Sequence, residues 1–466
     1  MALERGRVDK QAPFSVALGF PGPYRVGMSS LGALHLRRLI QDEPGMACER
    51  VFLPDDAGRG LLHGGVATYE SLRSPADFPV VALSVAYELE LGGVIQLLEA
   101  AGIPALRDER QDWHPFVLAG GALTWANPSP LLPFVDAIVI GEADELMVAV
   151  LQVLREAVSR RAALDRLAEM EHVMVPSRHG TRLPPLARAS STQLPAWSHL
   201  RSPEAELSNM VLVEASRGCS RTCRYCVMRR SADGGMRVVP VERILAAVPE
   251  DAERVGLVGA AVSDHPHIAR AVRQLVDRGC QVGLSSLRPE RLDDDLVGAL
   301  ADAGYRTLTT AMDGLSQSLR DRLDRRVTEA ELETAARLVR DHGMARLKLY
   351  LMVGVPGEED EDVDEAAALV RELSRIVPVS LAVSSFCAKA HTPFSAERFA
   401  GASVIERRLR RLRKGLKGRA EVRATSIRWA WIEHVLAQGG SQHGHAVLAA
   451  VRAGGDFRHY RAELAP

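Results

Sequence analysis

The sequence predicts an α/β protein with three parts: an N-terminal Rossmann-like parallel sheet, a partial (β/α)6 barrel and a small helical C-terminal region. Two observations carry this. Short, continuous apolar runs alternate with helical patterns in two separate series, as expected of parallel strands buried on both faces. Between the two series lies a stretch rich in Pro, Ser and Arg with no sustained periodicity, which reads as a linker. The boundaries follow as 1–171 for the first sheet, 172–208 for the linker, 209–400 for the barrel and 401–466 for the helical end.

In the first series, "SVALGF" (15–20) reads as a strand, and "GALHLRRLI" (32–40) as a helix with Leu34, Leu36, Leu39 and Ile40 at helical spacing. Strands follow at 48–54, 80–87, 116–121 and 136–144, with a helix over 92–102. The loops after these strands are made of small residues: "GMSSLG" (27–32), "GGALTWANP" (120–128) and "GEAD" (141–144). In an open parallel sheet that edge forms the ligand crevice. For any one loop, turning the chain explains the glycines equally well; several on one edge favour a ligand. The second series has six strands, at 210–216, 254–262, 280–287, 306–312, 346–356 and 379–386, short of the eight of a complete barrel. The C-terminal part contains the basic stretch "ERRLRRLRKGLKGR" (406–419) beside an apolar stripe of Ile405, Leu409, Leu412 and Leu416.

The totals exclude some classes. With 466 residues, 47% hydrophobic, 25% charged and a net charge of −1, the chain suits a multidomain globular protein with no overall field for nucleic acid or membrane. No run reaches the length of a membrane span, and the N-terminus lacks the pattern of a secretory signal, so the expected location is cytoplasmic. Thiols stay reduced there, and clustered cysteines indicate metal or redox chemistry.

Three of the six cysteines, Cys219, Cys223 and Cys226, fall in "EASRGCSRTCRYCVMRR" (214–230) with spacing C-x3-C-x2-C, directly after the first barrel strand. A barrel keeps its chemistry at that mouth. Three thiolates can hold three corners of a four-iron cluster and leave the fourth iron open. Gly218 allows a tight turn beside the sulfurs. A structural zinc site would need a fourth ligand, and no second close-set pair is present: Cys48, Cys280 and Cys387 are isolated and read as buried small hydrophobes.

This motif, with Tyr225 before the third cysteine, resembles the radical S-adenosylmethionine superfamily. The resemblance implies a [4Fe–4S] cluster on the three cysteines, which are then the catalytic and metal-binding residues. Its open iron chelates S-adenosylmethionine, and one electron from a donor such as flavodoxin or ferredoxin gives methionine and a 5′-deoxyadenosyl radical. Further residues follow by position. "GLVGAAVSDHP" lacks the family's Gly-Gly-Glu and leaves Ser263 and Asp264 as candidates for S-adenosylmethionine, beside Tyr225. Ser286 and Arg288 suit the carboxylate, and Asp313 stands near a family Glu for the ribose or amine. Lys348, Tyr350 and Met352 alternate on one face of the fifth strand, ahead of a Gly-x-Pro-Gly-Glu segment that the family places beside adenine.

The N-terminal sheet resembles the cobalamin-binding-domain branch, closest to a largely uncharacterised subgroup, which implies cobalamin as a further cofactor and methyl transfer to an unactivated carbon or phosphorus. Its contacts would come from Met28, Ser29, Ser30, Leu31, Ser84, Tyr87, Gly120, Gly121, Thr124, Gly141 and Glu142. The Asp-x-His-x-x-Gly motif is absent; His35 stands without its Asp and Gly. The alternative is a cobalamin-free radical enzyme performing hydrogen abstraction, rearrangement or RNA modification, to which the 406–419 stretch would bring phosphate contacts. A non-catalytic redox or iron sensor is a third class. Nothing in the sequence identifies the substrate.

Overall fold

The computed structural model describes residues 3–285 and 287–465, side chains of 232–234 excepted. Ser286 therefore lies outside the described residues. The chain forms two compact units, one made of Met1–Asn209 with Val435–Pro466, the other of Met210–His434.

The first unit is built on six strands: β1 (Phe14–Pro23), β2 (Met46–Leu53), β3 (Val80–Ser84), β4 (Phe116–Gly120), β5 (Ala137–Val139) and β6 (Val173–Met174). Their order is β2-β1-β3-β4-β5-β6, parallel except for the β5–β6 pair. The order turns back between β1 and β3, so the strand ends there diverge into a crevice. Val16 and Leu18 of β1 join Ile40, Val80, Leu118, Val150 and Leu167 in a core under the helices Leu31–Asp42, Asp144–Glu156 and Arg160–Ala168. Gly19 faces the other way, against Leu97 of the helix Leu91–Ala100. Burial on both faces explains why these strands read as unbroken apolar runs.

Some fastenings in this unit are polar. Arg50, 2% exposed, forks onto both carboxylate oxygens of Glu4 at 2.8 Å and gives its Nε to Glu70 at 2.7 Å. A guanidinium removed from water in this way is tolerable only when fully paired. Asn127, in the loop after β4, donates to the carbonyls of Leu436, Ala437 and Gly439, closing the C-terminal end of the helix Ile427–Gln438. The segment 172–208 supplies β6, a bridge from Ala187 to Gly141 and a two-residue strand, β7 (Trp197–Ser198).

In the second unit, β8 (Met210–Glu214) is followed by β9 (Ser216–Arg217) and β10 (Arg237–Val238), an antiparallel pair flanking the cysteine loop. The barrel continues through β11 (Arg254–Val258), β12 (Gln281–Leu284), β13 (Thr307–Asp313), β14 (Arg346–Val353) and β15 (Val379–Ser385). These and β8 are the six strands expected from the sequence. Pairing is parallel along β8-β11-β12 and along β13-β14-β15. The two runs meet through Thr310 Oγ1, which donates to Leu287 O at 2.9 Å, and through Tyr305 OH, which accepts from Leu284 N.

A seventh parallel strand, β16 (Ala420–Ala424), extends the sheet beside β15, inside the region expected to be helical. It is a short edge strand with no fully buried residue, and so carries no apolar run to reveal it. The basic helix Ala402–Leu416 buries Ile405, Leu409, Leu412 and Leu416. Arg408 pairs with Glu358 at 3.0 Å, and Arg411 with Asp360 at 3.0 Å and Asp364 at 2.6 Å. Part of the basic stretch is thus committed to the acidic start of the helix Asp360–Ile376.

Candidate active site

The cysteines lie on the loop after β9, at the C-terminal ends of the barrel strands. Gly218 turns the chain into it at φ +82°, and a Cβ there would come within 3.0 Å of Gly235 O. Cys219 N donates to Ser231 Oγ, which donates in turn to Met228 O. The far side of the loop is tied to the segment after the helix Gln317–Arg322: Arg224 N donates to Leu323 O at 2.9 Å and Thr222 Oγ1 to Asp324 Oδ2 at 2.7 Å. The loop is therefore braced at both ends before any ligand enters.

Around the sulfurs lies a buried charge network. Arg288 NH2 donates to Cys219 Sγ at 3.0 Å, and the backbone N–H of Arg221 approaches the same sulfur at 3.4 Å. Ser263 Oγ accepts from Arg288 N at 3.0 Å, while Asp264 and Glu290 flank the guanidinium at 3.6 and 3.7 Å. Glu290 also meets Arg221 at 3.4 Å and Arg325 at 3.3 Å. Arg325 Nε donates to Asp313 Oδ2 at 2.6 Å, and Tyr225 OH donates to that oxygen at 2.9 Å. Asp313 Oδ1 has no hydrogen bond among the described residues and remains open to a ligand. Asp313 sits at a register shift of β13 with φ +62°, a strained conformation for a residue other than glycine.

Burial pushes the Cys223 thiol up to about 11 and raises Cys226 as well. Without a bound cation these thiols stay protonated, and metal binding must displace the protons. Burial pulls Arg325 down, but Asp313 and Glu290 outweigh it and its pKa is raised. Three thiols, N–H donors aimed at a sulfur and nearby guanidinium charge suit an anionic iron–sulfur cluster. Among the described residues no three or more His, Cys, Asp or Glu side chains converge on a single-ion position.

The structure thus gathers Cys219, Cys223, Cys226, Tyr225, Ser263, Asp264, Arg288 and Asp313. Lys348 and Tyr350 make no hydrogen bond or ion pair with this network among the described residues; they alternate with buried residues along β14, level with Thr309 and Ala311 of β13. Tyr350 is 46% exposed, and Lys348 Nζ stands 5.1 Å from its ring centroid. Glu358, of the Gly-x-Pro-Gly-Glu segment, accepts from Gly354 N and Val355 N and holds that turn itself. Arg325 and Glu290 are central to the network and were not singled out from the sequence. Glu290 stands in the same "SSLRPERL" as Arg288, whereas nothing local marks Arg325 within "DRLDRRV".

At the β-strand edge of the first unit, several candidate cofactor contacts serve the fold. Met28 is buried among Phe20, Tyr24 and Phe52, with Arg50 NH1 at 2.9 Å from its sulfur. A Cβ on Gly121 would stand 2.5 Å from Val85 O, and one on Gly141 2.5 Å from Ala187 N. Gly120 O accepts from Val85 N, and Thr124 Oγ1 joins Gly121 O to Gly141 N. Glu142 accepts from Ala189 N, and Ser29 Oγ from Leu207 N. Backbone N–H groups along this edge, those of Val85, Leu123, Gly141 and Glu142 among them, are therefore already bonded. Ser84 ends β3 nearly buried, while Ser30, Leu31 and Tyr87 stay accessible. His35 is buried with its Nε2 3.2 Å from Asp144 Oδ1, so it joins two helices instead of facing the edge.

Comparison with known proteins matches residues 32–176 to the model described as radical SAM proteins, N-terminal, and residues 213–370 to that of the radical SAM superfamily. An uncharacterised protein of Methanocaldococcus jannaschii is 26% identical over 76% of either chain. The ribosomal protein uS12 methylthiotransferase RimO of Geobacter sulfurreducens is 27% identical over 34% of this chain and 39% of its own. The tRNA-2-methylthio-N(6)-dimethylallyladenosine synthase of Chlorobium phaeovibrioides is 28% identical over 37% and 41%. The chain thus spans about two fifths of those two enzymes. Among solved structures, the radical S-adenosylmethionine methyltransferase TsrM from Kitasatospora setae, with cobalamin and a [4Fe-4S] cluster bound, aligns with a TM-score of 0.57 at 15% identity, over 82% of this chain and 74% of that one. The cobalamin-dependent radical enzyme OxsB aligns at 0.53 and 14% identity, over 77% and 52%.

Proposed function

The chain belongs to the radical S-adenosylmethionine superfamily, and we propose that it transfers a methyl group to an unactivated carbon with cobalamin held by its first unit. One observation carries the reading: a three-thiol loop at a barrel mouth shares its chain with a parallel sheet of order β2-β1-β3-β4-β5, as in a doubly wound nucleotide-binding fold. The likeness in fold to TsrM and OxsB, over most of this chain, supports it.

Bound to Cys219, Cys223 and Cys226, a [4Fe–4S] cluster supplies the electron that cleaves S-adenosylmethionine, and cobalamin supplies a methyl carrier. The remaining work falls to side chains. Asp313 offers Oδ1 to a hydroxyl or ammonium of S-adenosylmethionine, with Arg325 and Tyr225 fixing its orientation through Oδ2. Tyr350 and Lys348 line the lumen in which a substrate would lie. Cobalamin would rest against Ser30, Leu31 and Tyr87, the accessible part of the edge, and receive no lower ligand from His35. The reductant would be a flavodoxin or ferredoxin, and the location the cytoplasm. No helix of the described residues is long and apolar enough to cross a membrane.

The likeness to two methylthiotransferases favours a second reading, cobalamin-free modification of RNA or ribosomal protein. Corrin retention separates the two. After anaerobic reconstitution with iron, sulfide and hydroxocobalamin, the desalted protein is expected to keep corrin absorbance and to form 5′-deoxyadenosine. Ser30→Trp is expected to lose the corrin and keep its iron. If the parent protein keeps no corrin at saturating cobalamin, methyl transfer through cobalamin is wrong and the second reading replaces it.

A further inference from the structure

We infer that Arg288 is a positioning residue that donates to the sulfur of Cys219 and sets the reduction potential of the cluster, instead of gripping the carboxylate of S-adenosylmethionine. This rests on the cluster assignment above. Arg288 NH2 stands 3.0 Å from Cys219 Sγ, and the residue is 8% exposed. Its backbone is pinned by Ser263 Oγ, and its Nε and NH1 lie beside Asp264 and Glu290. A guanidinium already flanked by two carboxylates gains little from a third, since the added carboxylate would repel both. A sulfur gains more: a cationic N–H donor stabilises the negative charge that reduction adds, and hydrogen bonds to cluster sulfurs are among the factors that set potential. Cys219 also receives the backbone N–H of Arg221. Among the described residues neither Cys223 nor Cys226 has a side-chain donor, so the three thiolates are unequal.

Glu290 gives the arrangement its rigidity. It touches Arg221 within the cysteine loop, Arg288 beside the sulfur and Arg325 beneath Asp313. The guanidinium is thereby held at the thiolate by opposing charges on two sides, Asp264 at 3.6 Å and Glu290 at 3.7 Å, both of which are themselves fixed by other arginines.

The test compares the parent with Arg288→Met, Arg288→Gln and Arg288→Lys after anaerobic reconstitution. It reads iron and sulfide content, the midpoint potential by redox titration followed by electron paramagnetic resonance, and the Kd for S-adenosylmethionine. Gln keeps a neutral donor, Lys keeps the charge and Met keeps neither. The expected result is parent-like iron, a potential lowered most by Met and less by Gln and Lys, and a Kd changed less than about threefold. If Met cannot hold a cluster, Gln and Lys carry the comparison. An unchanged potential with a tenfold or greater loss of affinity would make Arg288 a carboxylate clamp and overturn the inference. So would parent-like potentials in every variant that holds a cluster. A parent chain that takes up no iron overturns the cluster assignment itself, and this inference with it.

Discussion

Glu90, at the start of the helix Leu91–Ala100, shows what a single partly buried carboxyl does to the first unit. Burial pushes its pKa up to about 7, although its Oε2 accepts from Ala86 N at 2.5 Å. Folding then takes up a proton between the ordinary glutamate pKa and about 7. The native state binds more protons than the unfolded chain in that window, so stability falls as pH rises through it. Glu90→Gln keeps an acceptor for Ala86 and cannot ionise. The variant is expected to lose that slope and to exceed the parent at pH 8 by about 1–2 kcal/mol. Thermal unfolding from pH 4.5 to 8 measures it; identical slopes in parent and variant refute it. The three isolated cysteines follow equally local physics. Cys48 is fully buried in the core, Cys280 Sγ donates to Ala252 O and Cys387 Sγ to Ala430 O, the behaviour of small packing residues.

Among elements, the end of the helix Ile427–Gln438 depends on a residue more than three hundred positions away. The last carbonyls of a helix have no partner within it, and Asn127 satisfies those of Leu436 and Ala437 while it is itself only 8% exposed. Asn127→Ala takes this donor from the carbonyls of Ala437 and Gly439, while Leu436 O keeps Gly439 N, and is expected to cost about 1–3 kcal/mol. Denaturant unfolding of the holoprotein reads this loss, and faster amide exchange over 435–440 locates it; a loss under a few tenths of a kcal/mol would mean that water replaces the amide. Nothing in "TWANPSP" announces this role, because a carbonyl-capping asparagine looks like a turn asparagine. The six barrel strands were legible for the opposite reason: each carries buried apolar residues, in a run as in β8 or at alternate positions as in β13 and β14. β16 was not, since an edge strand of exposed residues has no such run.

At the scale of the whole molecule, the second unit is inserted between the two sequence segments of the first. Chemistry and cofactor support are therefore expected to fail separately. Replacing Cys219, Cys223 and Cys226 together with Ala should take iron from about four per chain to background and abolish cleavage of S-adenosylmethionine. Corrin retention should stay within about twofold of the parent, because none of the three lies in the first unit. Iron analysis and corrin absorbance on one sample decide this, and parent-like iron in the triple variant would remove the cluster from these cysteines. The sequence alone determined five strands of the first sheet, the six barrel strands, the two series of parallel units and the three-thiol loop. All of these are written in residues within a few positions of one another, where periodicity and spacing act. Tertiary structure decided that Arg288 faces a sulfur, that Arg325 and Glu290 brace Asp313, and that Gly121 and Gly141 serve backbone packing before any ligand. A guanidinium finds its partner by reach and burial, and both are set by chain segments that meet only when the sheet and barrel close.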